Sequence, residues 1–451
     1  MRRKLSWACA LAATLIGCGP SRITVDTTRK LQEMQGWEAL VNPPAVECDR
    51  RSSLAAMERI LDLAVHDAGI NRVRLPVRAG TEHPRDPFPA RMREELSFDE
   101  WKKTWHVAVN DNADPRTADT SGFHWGYFDY TVETMVLPLR DRLRSKGEDL
   151  WINLILPSAG PGGLYQGSAG EEYAELITAA FLHLRERYGL IPQSLEIINE
   201  PKVRAWTMAE VAQALLAVRA RLAQHGFHPR FLAPSATTID GSEEYLRELL
   251  RFPGVREALT DVSYHRYGGG KEALQRLAGI ADSLGFGMAM TEKMGATTET
   301  LREDLTVGGV STWQQFGLTH CGKADRVPGS GVYVTFREVG DTSARTVQLT
   351  GNARYLRHYF RHVRLGAHLV TSSSSGSVHA TAFENPDGRI VVVLESDRAD
   401  SATIAGLPAG TYRQWWTTAD GEGTAPDSTI AAGGRLSARL PGAGTLTVFA
   451  R

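Results

Sequence analysis

Two glutamates stand where apolar runs end. Leu195-Glu196-Ile197-Ile198 leads into Asn199-Glu200-Pro201, and Met288-Ala289-Met290-Thr291 leads into Glu292-Lys293. Two carboxylates facing one cleft can break a glycosidic bond, one protonating the leaving oxygen while the other attacks the anomeric carbon. A single glutamate at a strand end is in most proteins only the residue that opens the next helix. The pair carries the reading, because its spacing has an architectural explanation. In a (β/α)8 barrel of about 250 residues each βα unit takes about 31. The 92 residues from Glu200 to Glu292 then span three units and predict the ends of the fourth and seventh strands. Catalytic groups of such barrels collect at those C-terminal strand ends.

The elements that would place them follow from the pattern. Short apolar runs alternate with amphipathic stretches from Gly36 to about Arg364, the signature of a parallel sheet. Expected strands are Gly36–Val41, Asn71–Val77, Leu150–Leu156, Ser194–Asn199, Arg230–Ala233, Asp261–Tyr267 and Phe286–Glu292. Between them Leu54–Ala68, Tyr130–Ser145, Glu171–Tyr188, Met208–His225 and Lys271–Leu284 read as helices, with Ala174, Ile177, Phe181 and Leu184 at helical spacing. For the eighth strand Gly331–Phe336 is preferred, after a helix over Thr297–His320; Val310–Phe316 is the alternative. After a helix at Asn352–Arg364 the texture changes to Ser, Thr, Gly and alternating β-formers. Strands at Val378–Phe383, Ile390–Glu395, Thr411–Thr417, Gly434–Leu440 and Thr445–Ala450, with turns such as Asn385-Pro386-Asp387-Gly388, predict a β-sandwich. Ile23–Val25 is a candidate strand of that sandwich. The fold class is therefore α/β, a TIM barrel over 36–365 with a C-terminal β-sandwich over 366–451.

The chain has 451 residues, 51 Lys+Arg against 52 Asp+Glu, and 42% hydrophobic residues. A formal charge of −1 carries no electrostatic footprint for nucleic acid, and this apolar content excludes disorder as the main state. Residues 1–17 read as a signal peptide: Arg2, Arg3 and Lys4 precede an apolar stretch from Leu5 to Ile16. Leu15-Ile16-Gly17-Cys18 resembles the lipobox of bacterial lipoproteins, which casts Cys18 as a diacylated anchor holding an exported protein to the cell envelope; an ordinary secretory signal is the plainer alternative. Gly19, in place of Asp after Cys18, favours the outer membrane in a two-membrane bacterium. Residues 18–35 then form a tether and the strand joining the sandwich. Cys48 and Cys321 remain as ordinary thiols, free or paired. No His-Glu-x-x-His or Cys-x-x-Cys cluster is present, so neither a metal nor another cofactor is expected.

With these residues in hand, the chain resembles clan A retaining glycoside hydrolases, most closely glycoside hydrolase family 30, a (β/α)8 barrel with a side β-sandwich. The likeness runs from Ile23-Thr-Val-Asp and Met34-Gln-Gly-Trp37-Glu to Tyr355-Leu-Arg-His-Tyr-Phe-Arg-His-Val-Arg-Leu-Gly366-Ala and Ala382-Phe-Glu-Asn385-Pro-Asp-Gly. It implies Glu200 as acid/base, Glu292 as nucleophile and Asn199 as the partner of the sugar 2-hydroxyl. It also implies Arg74 as the cation holding the nucleophile ionised and Tyr267 as its hydrogen-bond donor, with His265 alongside. Asn153 and Trp313 match sugar-contacting positions more weakly. Lys293 departs from the expected pattern.

In the loop from Arg78 to about Tyr130, Asp111 and Trp125 are the candidates for touching substrate. The plainer reading has Phe123, Tyr127 and Phe128 packing the loop onto the barrel and the acidic run as a solvated turn or ion site. The expected partners are a carbohydrate substrate and a membrane reached through the lipid anchor, with no nucleic acid. Rival readings are an inactive glycan-capturing lipoprotein, a transglycosylase on the same residues and, least, a metal-dependent hydrolase. Neither the sugar nor the oligomeric state is legible.

Overall fold

The computed structural model describes residues 20–157, 169–322, 331–338 and 345–451. Eight parallel strands close a barrel: β2 (Gly36–Leu40), β3 (Arg72–Pro76), β4 (Trp151–Ile155), β5 (Ser194–Glu196), β6 (Arg230–Ala236), β7 (Asp261–His265), β8 (Gly287–Glu292) and β9 (Val310–Gly322). Closure comes from β9, which pairs with β8 on one side and β2 on the other. Apolar residues on the strands' outward faces pack against the helices in one continuous core. Leu154, Leu195 and Val262 from the strands belong to it, as do Ile177, Phe181, Val218 and Leu246 from the helices.

The eighth strand corrects the sequence expectation. The helix that was to reach His320 runs only over Thr298–Thr306, and β9 follows at Val310. Gly308-Gly309 separates the two, Gly309 taking a φ of +63° that L side chains rarely adopt. The preferred segment forms β10 (Val332–Glu338), which lies parallel to β9 outside the closed ring and carries β11 (Arg345–Leu349) antiparallel on its other edge.

The barrel interior is polar in layers. Side chains two apart on a strand share a face, so Arg72 and Arg74 on β3 point inward together, as do Ser194 and Glu196 on β5. The lower layer joins Arg72 Nε to Glu38 Oε2 at 2.6 Å and Arg72 Nη2 to Ser194 Oγ at 2.9 Å. The upper layer belongs to the site below.

Nine strands surround a second core: β1 (Ser21–Glu33), β12 (His368–Ser375), β13 (His379–Glu384), β14 (Ile390–Ser396), β15 (Asp400–Ala405), β16 (Gly410–Thr418), β17 (Gly421–Ile430), β18 (Leu436–Leu440) and β19 (Gly444–Ala450). The N-terminal β1 lies between β12 and β15. Alternation decides the faces of β14: Val392 and Leu394 enter the sheet's own core, while Val391 and Val393 join the barrel's. Helix Gly351–Phe360 fills the junction, with both ring nitrogens of His358 2.8 Å from threonine hydroxyls, Thr447 and Thr417. Cys48 is in a disulfide; its partner and Cys18 fall outside the described side chains. Among the described residues no helix is long and apolar enough to cross a membrane.

Candidate active site

Three strand ends bring the candidate groups together. Glu292 is the last residue of β8, His265 the last of β7, and Glu200 follows β5 by four residues. Glu200 sits in the left-handed region at φ 48° and ψ 66°, a conformation that costs a non-glycine residue roughly 1–2 kcal/mol. Its backbone N–H donates to the Ser235 carbonyl on β6 at 3.1 Å, and Pro201 fixes the following turn. One ligand-type atom each of Glu200, His265 and Glu292 lie within 4.8 Å of one another.

The two carboxyl groups have different neighbours. Glu292 Oε2 accepts from Arg74 Nη1 at 3.1 Å and Oε1 from the Tyr267 hydroxyl at 3.1 Å. Burial and the facing Glu292 charge push the Tyr267 hydroxyl well above the usual phenol range, so it stays a donor at any working pH. Glu200 Oε1 stands 3.0 Å from His265 Nδ1, and that imidazole is fully buried. An imidazole Nδ1 can accept from the carboxylic acid in one tautomer and donate to the carboxylate in the other, so His265 can meet either form of Glu200.

A third carboxylate, which the sequence reading overlooked, organises the cation. Glu196, fully buried on β5, grips Arg74 bidentately: Nη2 to Oε1 at 2.6 Å and Nε to Oε2 at 2.8 Å. Burial alone would raise the Glu196 carboxyl; the charge and hydrogen bonds of Arg74 outweigh it and hold the group below the usual range. Burial likewise opposes the Arg74 charge, but Glu196 and Glu292 more than restore it. Arg74 Nη2 also donates to Asn199 Oδ1 at 2.8 Å, which leaves the Asn199 amide N–H groups to donate elsewhere. The overlooked signal is Glu196 itself, a charged residue inside an apolar strand. It demanded a buried partner, and the i, i+2 pair Arg72 and Arg74 offered two.

The structure places the remaining candidates less centrally. Asn153 is fully buried beneath the carboxylates, accepting from Ser194 Oγ at 2.9 Å and donating to Glu196 at 3.4 Å; it supports the arginine layer. Trp313 faces away from the cleft. Its indole is fully buried, donates to Asp304 Oδ2 at 2.9 Å and packs on Phe360, because its position on β9 points to the helices. Trp125 lies between Phe123 and His183, against helix Ala169–Tyr188. Asp111 accepts the Asp119 backbone N–H and clasps the loop to itself. Phe88, Trp101, Trp105 and Tyr127 form a small core of their own, so the loop's aromatic content is largely packing. Lys293 lies over the Tyr267 ring at 5.3 Å. A cavity of about 540 Å³ opens beside Glu200, lined by Lys202, Val203, Thr237, Asp240 and Tyr245 among others.

Residues 366–410 match the family model of the glycosyl hydrolase family 30 beta sandwich domain. None of the curated protein sequences compared with the chain matches it. Solved structures share the fold. The catalytic domain of GH30 xylanase C from Talaromyces cellulolyticus superposes with a TM-score of 0.68 at 14% identity, over 95% of this chain and 100% of that one. A GH30 endoxylanase from Clostridium papyrosolvens gives 0.64 at 15% identity, over 95% and 100%. An endo-β1,6-glucanase gives 0.65 at 12% identity, over 95% and 93%. The chain thus has the fold of family 30 enzymes, barrel and sandwich together, and resembles that family.

Proposed function

We propose that the protein is a retaining O-glycoside hydrolase of β-linked saccharides, exported and held to the cell envelope by lipid on Cys18. One observation carries the enzymatic reading: two carboxyl groups face each other across the strand ends, with opposite surroundings. Glu292, held by a cation and a phenol, is the nucleophile. Glu200, beside the His265 imidazole, is the acid that protonates the departing oxygen. Attack of Glu292 on the anomeric carbon breaks the glycosidic bond and forms a glycosyl-enzyme ester. Glu200, now a carboxylate, takes a proton from water, whose oxygen displaces Glu292 and releases the sugar with its configuration kept. Retaining pairs stand about 5–5.5 Å apart and inverting pairs about 6.5–9.5 Å; one oxygen of each carboxyl lies within 4.8 Å of the other, a contact that the closer, retaining arrangement accommodates. Asn199 donates its amide N–H to the sugar 2-hydroxyl in this reading, a role supported by the hold of Arg74 on its Oδ1. The cavity beside Glu200 lies on the acid's side and suits the leaving group.

The same three ligand atoms give a metal-assisted hydrolase some footing. Against it stands Arg74, 3.1 Å from Glu292, a fixed positive charge where the ion would have to bind, and both Glu292 oxygens are already engaged.

The relatives of known activity name the first substrates to try, xylan and β1,6-linked glucan, beside aryl β-glycosides. Turnover that Glu292→Ala abolishes, with the first-formed product keeping its β configuration by NMR, supports the reading. An inverted first product overturns the mechanism. Glycan binding without turnover on any substrate makes the protein a capture lipoprotein. Loss of a lipid-dependent mass increment in Cys18→Ser tests the anchor.

A further inference from the structure

A second group of buried polar side chains lies away from the reacting pair. Residues 116–125 of the long loop lie along helix Ala169–Tyr188 and enclose a groove of about 330 Å³ between that helix and the end of helix Met208–Gln224. From Glu175 to Glu186 it follows three turns of helix, about 16 Å at 1.5 Å per residue. Its floor is apolar: Phe123, Trp125, Ala179 and Leu182. Its upper end is not. Both carboxyl oxygens of Glu175, the Thr178 hydroxyl and Arg221 Nη1 are buried without a hydrogen-bond partner, and all three residues line the groove. Glu175 and Thr178 are 2% and 4% exposed.

Unmet polar groups at such depth destabilise the free protein, so a ligand that satisfies them gains what the free protein forgoes. Arg221 is held in place by the Pro115 carbonyl at 2.8 Å and Glu171 at 2.7 Å, with Nη1 left to donate. Glu175 presents two unengaged carboxyl oxygens, and Thr178, one helical turn on, both donates and accepts. The matching ligand carries adjacent groups that each give and take a hydrogen bond, with an apolar face for the aromatic floor. Vicinal hydroxyls on a pyranose ring meet that description.

We propose that this groove is a second, non-catalytic saccharide site that binds a short neutral oligosaccharide through Glu175, Thr178 and Arg221. A cation is the competing occupant, because Glu82, Asp111 and Glu172 lie near Glu175. Two observations favour the polyol. Among the described residues the one set of three candidate ligands whose atoms lie within 4.8 Å of one another is Glu200, His265 and Glu292; the acids around Glu175 are not drawn into a cage. Burial and the charges of Asp111, Glu172 and Glu82 also push the Glu175 carboxyl up to about 8, so at neutral pH it is largely a neutral donor and acceptor, suited to a hydroxyl and poor for an ion. The proposal is independent of chemistry at Glu200 and Glu292.

The test is calorimetric titration of the full chain carrying Glu292→Gln, so that the sugar survives, with xylotriose and with the β1,6-linked glucose trimer. Two binding events are expected with at least one trimer. Adding Glu175→Leu, or Thr178→Val in its place, weakens one event at least tenfold and leaves the other. Thr178→Val exchanges a hydroxyl for a methyl of the same shape and carries the test if the leucine variant misfolds. In the chain with Glu292 intact, neither change alters turnover of an aryl β-glycoside, which keeps this result separate from the assignment of activity. A single event with both trimers, or two events indifferent to both substitutions, overturns the proposal. Calcium or terbium binding that Glu175→Leu abolishes, with no second saccharide event, makes the groove a cation site instead.

Discussion

Replacing Glu196 with glutamine tests whether the buried arginine layer governs the site above it. The substitution keeps shape and volume but removes the charge facing Arg74. One of the two oxygens, at 2.6 or 2.8 Å from the guanidinium, becomes an amide that sets donor against donor. A charge-assisted hydrogen bond of about 1.5–3 kcal/mol is lost, and a buried cation keeps only part of its compensation. Breaking such a pair from one side costs about 3–5 kcal/mol; with Glu292 and Asn199 still bonded to Arg74, the lower end applies, about 3 kcal/mol. Arg74 also loses the two-point grip that aims Nη1 at Glu292 and Nη2 at Asn199. A misplacement of about 1 Å in a reacting array costs roughly a hundredfold in rate, and a loss of ten- to a hundredfold in kcat is expected.

The pH dependence gives the sharper reading. The Glu196 carboxyl is lowered in the folded chain, so its contribution is present above the unfolded value near 4.5 and fades as acid protonates it through the lower folded value. Urea denaturation of wild type and Glu196→Gln should therefore differ by about 3 kcal/mol at pH 7, with the gap narrowing in acid below that of the free carboxyl. A variant with wild-type kcat, or one destabilised equally at every pH, would refute the claim that Glu196 acts through its charge on Arg74.

Three further outcomes follow from the same geometry. Glu200→Ala should slow hydrolysis of glycosides with poor leaving groups by about 10²–10⁴-fold and leave dinitrophenyl glycosides, which need no protonation, far less affected; equal loss on both would remove Glu200 from the acid's role. Trp313→Phe should lower stability by about 1–3 kcal/mol by leaving the buried Asp304 one donor short, with KM on any substrate unchanged; a raised KM would return Trp313 to the sugar. Glu175→Gln should stabilise the chain in alkali. The folded carboxyl at about 8 against an ordinary 4.5 binds a proton the unfolded chain loses, so wild-type stability falls as pH rises through that window. The full difference of about 5 kcal/mol, reduced for solvent screening to about 2–3, appears in denaturation at pH 9 and vanishes at pH 4; a gap independent of pH refutes it.

The barrel was legible because its strands are short apolar runs separated by long helical ones. The misplaced eighth strand had a physical cause: Val310–Gly322 and Val332–Glu338 are both β-forming, and both do form strands. Which one closes the ring depends on pairing with β2 across more than 270 residues, and no local pattern carries that. Trp313, a weak match carried by the resemblance, falls on the wrong strand parity: it is one residue from the inward-facing Gln314, whose amide reaches the Thr291 carbonyl at 2.6 Å. The loop aromatics looked like sugar platforms because composition cannot separate an aromatic facing solvent from one packed on Trp101. Glu200, Glu292 and Tyr267 are conspicuous in the sequence because each stands at or just past a strand end, where periodicity stops, whereas Arg74 lies mid-strand on β3 and is singled out through the resemblance.

What the sequence left unsaid is how two identical side chains are made to differ, and that is decided one layer down. Glu292 is met by a guanidinium and a phenol and Glu200 by an imidazole, and Glu196 fixes which way that guanidinium points. Taking two of the arginine's edges, it leaves Nη1 for Glu292, and Asn199 is tied to the same guanidinium at Nη2. Glu292, the proposed nucleophile, and Asn199 are thereby referred to one cation, which is itself fixed by a carboxylate fully buried beneath the cleft. The asymmetry of the cleft is set from β3 and β5, below the two carboxyl groups at the strand ends.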